Sequence, residues 1–79
     1  MPRYYFHVRG PRDRMHDEEG FVLPDVEAAW YQAVRSAREM IRADLDLGCG
    51  FEEQAIEIAD ECGRPLDRVP FIEVARYAM

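Results

Sequence analysis

No lysine occurs anywhere in the chain; all ten basic residues are arginine. That excludes a Schiff-base lysine and a phosphate-loop lysine. Cysteine is scarce as well. Cys49 and Cys62 are too few for a disulfide framework and lack the C-x-x-C spacing of a redox or metal pair. Free thiols in a reducing cytoplasm are therefore expected. Long hydrophobic runs are missing. The opening MPRYYFHVRG puts Arg3, His7 and Arg9 where a secretory leader needs its apolar stretch, and nothing resembles a membrane span. Positive charge is in deficit, with 16 acidic residues against 10 basic and a net charge of −6. This balance argues against a general binder of nucleic acid or of anionic membranes, since both need positive charge. No G-x-S-x-G, H-E-x-x-H or G-x-G-x-x-G motif occurs, nor any internal repeat or linker.

What is present suits one small folded domain spanning residues 1–79. Apolar residues make up 48% and charged residues 33%, a globular balance. A chain of this size buries only about 60% of its unfolded surface, so the core is thin.

Residues 3–9 (RYYFHVR) alternate, with Tyr4, Phe6 and Val8 on one face and Tyr5, His7 and Arg9 on the other. This is a strand. Gly10–Asp13 is a turn, a second strand follows around residues 14–17, and Phe21–Leu23 continues extended after the bend at Glu18–Gly20. Asp25 is placed to cap a helix. Val26, Trp30, Ala33, Val34, Ala37, Met40 and Ile41 form its apolar stripe; Tyr31, Arg35, Arg38 and Arg42 form the opposite one. Asp44 would enter the apolar stripe, so the helix is expected to end near Ala43, with Gly48 and Gly50 as a stop. Residues 54–60 and Leu66–Phe71 read as two more strands. Pro70 marks an edge or an end. A short helical turn over Ile72–Ala78 is expected to bring Val74 and Tyr77 or Ala78 to the core. The order ββαββ gives a two-layer α+β domain, a mostly antiparallel four-stranded sheet with one long helix on one face. One helix leaves the second face to solvent or to another subunit.

RYYFHVR, then DEEG at Asp17–Gly20, LPDVEAAW at Leu23–Trp30, SARE at Ser36–Glu39 and IEIADECGRPLDRVPF at Ile56–Phe71 together resemble the DUF6894 family. The resemblance spans nearly the whole chain in order. It implies a small bacterial protein of unknown function and transfers no catalytic residue. Cys62 departs from the pattern where an acidic residue would stand, and residues 44–53 are more acidic than usual.

If the loop is the four residues Gly10–Asp13, Arg9 pairs with Arg14, Val8 with Met15 and His7 with His16; a two-residue loop, Gly10-Pro11, would place His7 opposite Arg14, and an odd-length loop would put His16 on the core side. With the four-residue loop, Tyr5, His7, Arg9, Arg14, His16 and Glu18 share the face away from the helix. Opposed side chains there have Cβ atoms about 4.5–5.5 Å apart, within reach of a shared metal ion. A metal needs further ligands, and only Glu18 is near, so no metal or other cofactor is expected. The plainer reading is two exposed or partner-covered histidines. Arg35, Arg38 and Arg42 could contact phosphates, or simply be a solvated helix back paired with Glu39. Asp17, Glu18 and Glu19 lack the twelve-residue ligand pattern of a Ca²⁺ loop and read as a tight acidic turn. Cys49 follows a helix in an acidic segment, which disfavours its thiolate; Cys62 has Arg64 nearby.

No nucleophile–base pair emerges, so no enzyme is expected. The expectation is a cytoplasmic, non-catalytic interaction module forming a homo-oligomer, a dimer, through its open sheet face or an edge strand. One alternative is a small-ligand or metal-binding module using His7 and His16. Another is a nucleic-acid-associated regulator using Tyr5, Arg9 and the helix arginines. The charge is also uneven: residues 1–16 balance at +3, whereas residues 43–63 carry seven acids and no arginine.

Overall fold

The computed structural model describes residues 1–11, 14–46, 48 and 50–77. Arg12, Asp13, Cys49 and Ala78, and the Tyr77 side chain, lie outside that description, and with them the details expected there. The elements are β1 (Arg3–Arg9), β2 (Arg14–Met15), β3 (Phe21–Val22), α1 (Val26–Asp46), β4 (Ala55–Ala59), β5 (Pro65–Pro70) and α2 (Phe71–Tyr77). The class is α+β, as the sequence reads, but the sheet has five strands rather than four.

β1 is the inner strand on which β2, β3 and β4 assemble. β4 pairs with it along one edge, from Tyr5↔Ala59 to Arg9↔Ala55. Two short strands share its other edge in tandem: β2 opposite Val8 and Arg9, β3 opposite Arg3 and Tyr4. The second strand is therefore shorter than residues 14–17, and Phe21–Val22 is a ladder of its own. β5 lies outside β4 and forms the far edge. All pairings are antiparallel. Pro70, which has no N–H to give to a ladder, ends β5, and Phe71 opens α2 instead of extending the strand. The Phe71 N–H donates to the Gln54 carbonyl at 2.9 Å, which turns the chain inward and buries the ring completely.

α1 starts where Asp25 caps it. The Asp25 carboxylate accepts the Ala28 N–H at 2.8 Å, satisfying one of the helix's otherwise orphaned donors. The buried seam is Ala29, Ala33, Ala37 and Ile41, spaced by four. Small side chains along such a row let the helix axis approach the sheet closely. The volume between them is filled from the other side by Tyr4, Val8, Ile56, Ile58, Val69, Phe71 and Val74. Fully burying an Ile, Val or Phe side chain contributes about 1.5–3 kcal/mol each. Val26 and Trp30, expected in the apolar stripe, are 47% and 42% exposed. The seam is set by alanines, and a tryptophan one position after Ala29 is rotated off the contact line.

The helix also runs on to Asp46 rather than ending near Ala43. Its last turn stands clear of the sheet, with Arg42, Ala43, Leu45 and Asp46 exposed, so Asp44 meets no apolar wall. Asp44 accepts a long 3.4 Å hydrogen bond from the Gln54 amide at the rim. Gly48, at φ +75°, closes the helix by donating to the Leu45 carbonyl. α2 packs on α1 and β5, on the same side of the sheet as α1. No helix among the described residues is long and apolar enough to cross a membrane.

Candidate functional site on the open sheet face

The even loop length puts Arg9 opposite Arg14 and Val8 opposite Met15, and so His7 beside His16. Tyr5, His7, Arg9, Arg14 and His16 thus share the face turned away from the helices. The His7 and His16 rings stack with centroids 4.2 Å apart and planes 10° from parallel. Tyr5 lies beyond His7 in the same attitude, at 6.4 Å and 15°. Beneath this row of rings His7 is only 5% exposed, although it sits on the outer face.

Across β4, Glu57 faces His7 on one side and Arg68 of β5 on the other. Glu57 receives Arg9 in a 3.2 Å ion pair. Ala55 and Ala59, the other β4 residues on this face, are flat and buried.

Asp17 ties the edge of this face together. Between the ladders of β2 and β3, the N–H of Phe6 on β1 has no strand opposite it. The Asp17 carboxylate takes that place, accepting the Phe6 N–H at 3.1 Å. Its other oxygen accepts the N–H groups of Glu19 and Gly20, both at 3.1 Å. The Asp17 N–H in turn donates to His7 Nδ1 at 3.0 Å. Burial alone pushes the Asp17 carboxyl up, but the Gly20, Phe6 and Glu19 donors and His7 together outweigh it and hold it below its ordinary value.

His7 is shifted the other way in character. Burial first, then His16 and Arg9, disfavour its charged form; Glu57 and Asp17 offset them only in part, and its pKa lies below the usual 6.5. With Nδ1 accepting a hydrogen bond, the neutral ring carries its proton on Nε2.

The acidic turn at Asp17 has a twin. Asp60 accepts the N–H groups of Cys62 and Arg64, each at 2.9 Å, and Gly63 follows at φ +83°. Both segments read Asp-Glu-x-Gly, with the carboxylate spent on backbone donors and the glycine in the left-handed region. This repeated spacing is the sequence signal that marks Asp17 and Asp60 as turn-holding residues. The acidic run alone marks the turn at Asp17, whereas Asp60 reads as the end of a strand.

Glu18 does not join the histidines. It lies in the bend, and with Phe6, Met15, His16, Phe21 and Met40 it lines a shallow groove of about 460 Å³ that runs from the same edge toward the helix. Parallel stacked imidazoles hold their nitrogen lone pairs in separate planes, so no one ion can lie in both. Among the described residues no group of three or more His, Cys, Asp or Glu is arranged to hold a metal. Arg35, Arg38 and Arg42 are exposed on the outer side of α1, opposite its buried seam. Tyr5 and Arg9 lie beyond the sheet, so the two halves of a Tyr5–Arg9–helix-arginine surface are separated by the thickness of the molecule. Cys62 is an exposed free thiol in the β4–β5 turn.

These features define an open-faced two-layer α+β domain whose outer sheet surface is a ring stack bordered by arginines. Its sequence matches the model of DUF6894, a domain of unknown function, over residues 3–72, and the chain belongs to that family. No match is found among curated proteins or among solved structures.

Proposed function

We propose that this domain is a non-catalytic interaction module of the cytoplasm that self-associates through its open sheet face. The observation that carries the reading is that both helices pack on one side of the sheet, leaving Tyr5, His16 and Arg14 on the other. A domain with so thin a core gains much from covering a second face.

The edges are poor alternatives. β5 begins and ends in proline and presents Asp67 and Arg68 between them. β2 and β3 are two residues each, and the Phe6 N–H in the gap between them is already taken by Asp17. Proline, charge and short strands are how natural sheets avoid pairing with a neighbour. Sedimentation at micromolar concentration tests the reading: a dimer is expected, weakened by Tyr5→Ser, and a clean monomer overturns it. The metal-binding alternative has less support because the stacked rings do not converge. A zinc-dependent thermal shift lost in His7→Ala would favour it instead.

A further inference from the structure

Arg9 and Arg14 are direct cross-strand partners on an exposed edge of the open face. Like charges placed so are mutually destabilising. Among the described residues one carboxylate, Glu57, reaches this pair, and it contacts Arg9 alone. Arg14 is exposed. Arg14 shares a shallow groove with Asp44, but among the described residues it forms no ion pair.

The same end of the molecule carries the opposite charge on its neighbouring surface. Arg9 pairs with Ala55, the first residue of β4. Glu52 and Glu53, both exposed, stand just before that strand, and Asp46 lies exposed at the end of α1. A cationic pair and an anionic segment thus abut at one end of each copy.

We infer that the partner of the open face is the acidic segment of a second copy, with Glu52 and Glu53 seated on Arg9 and Arg14. This deepens the self-association reading and rests on it. Stacking like face on like face would set arginine against arginine. A two-fold axis passing beside the Arg9–Ala55 pair instead makes the cation–anion contact twice, once in each direction, as an isologous interface requires. A nucleic acid would meet the same arginines but also the repulsion of a chain with net charge −6.

The test is a charge exchange between two variants. Arg14→Glu and Glu53→Arg alter exposed side chains, and circular dichroism checks that each remains folded. Each variant alone is expected to sediment as a monomer. An equimolar mixture is expected to recover the dimer, because both contacts are complementary in the mixed pair. Wild type is expected to dissociate at about 1 M salt, where the screening length is about 3 Å. A wild-type dimer with a mixture that stays monomeric, or variants that stay dimeric alone, overturns the inference and leaves the open-face reading standing. A monomeric wild type overturns both. If that monomer shifts a single-stranded oligonucleotide and Arg14→Glu abolishes the shift, the arginines belong to nucleic acid.

Discussion

The backbone N–H of Asp17 donates to His7 Nδ1 at 3.0 Å, while the Asp17 carboxylate accepts the N–H of Phe6, the residue before His7. The two residues therefore clasp each other across the gap between β2 and β3. An imidazole that accepts this bond at Nδ1 cannot carry a proton there. Protonating His7 fully means breaking the clasp or the stack with His16.

Stability should therefore fall in acid in two steps. His7 has a folded pKa below its unfolded 6.5, so between these two values the unfolded chain binds more protons and stability drops as pH decreases. Above pH 6.5 it gives no slope. Asp17 is also held below its unfolded 3.8; the stability it contributes is present above that value and is lost as pH falls through its folded pKa. Thermal melts from about pH 7 to 5 should show the first loss, inside the range where histidines titrate. His7→Phe should flatten that slope, even though it lowers the melting temperature overall.

Asp17→Ala leaves the Phe6, Glu19 and Gly20 donors without their shared acceptor. A lost hydrogen bond to a charged group costs about 1.5–3 kcal/mol, and three partly exposed ones sharing an acceptor should cost about 2–3 kcal/mol together. That corresponds to a fall in melting temperature of about 10–20 °C for a domain of this size. Asp25→Ala, which removes only the helix cap, should cost about 1 kcal/mol. Equal effects in thermal unfolding would deny Asp17 its bridging part.

Gly20 and Gly63 offer a matched pair. Both have positive φ, 69° and 83°. A Cβ on Gly63 meets nothing within 4 Å, so Gly63→Ala pays only for its backbone conformation, about 1–2 kcal/mol. A Cβ on Gly20 falls 2.8 Å from the Tyr4 carbonyl and 2.9 Å from Arg3 Cγ. Gly20→Ala must displace β1 as well, adding about 1–3 kcal/mol. Denaturant midpoints should rank Gly20→Ala clearly below Gly63→Ala.

The helix seam predicts an inverted size rule. Ala37→Leu inserts volume where helix and sheet are already in contact and should destabilise by about 1–3 kcal/mol. Trp30→Ala removes a large ring whose main aromatic neighbour is Tyr31, at 5.4 Å, and should cost less than about 1 kcal/mol. Chemical denaturation of the two variants decides it; a larger loss for Trp30→Ala would place the seam elsewhere.

Much of this architecture is legible in the sequence, for local reasons. The alternation of RYYFHVR assigns faces, but only the observed register, Arg9 opposite Arg14, selects the four-residue loop that puts the two histidines together. Asp25 caps the helix because a carboxylate before a helical run has one obvious use. The misreadings concern distance between layers. Apolar size favours Trp30 over Ala29, but only the separation of helix and sheet decides which side chains fit between them. Asp44 looked like a terminator because the end of the sheet, and so of the apolar wall, is not written in the helix. The Asp17 clasp depends on a gap between two strands that share an edge. The sequence carries its turn signal, Asp-Glu-x-Gly, but not the vacancy it fills.

β1 is paired along both edges, yet its long partner arrives late. Between Tyr5 and Ala59 lie the whole of α1 and both short strands. Until β4 has been made, β1 can pair only with two-residue strands, which are too short to hold a hairpin in water on their own. Closing the sheet then joins segments far apart in sequence, the kind of step that slows folding. During that interval the aromatic strand RYYFHVR is exposed in the nascent chain, and α1 is the element that can form before the sheet does.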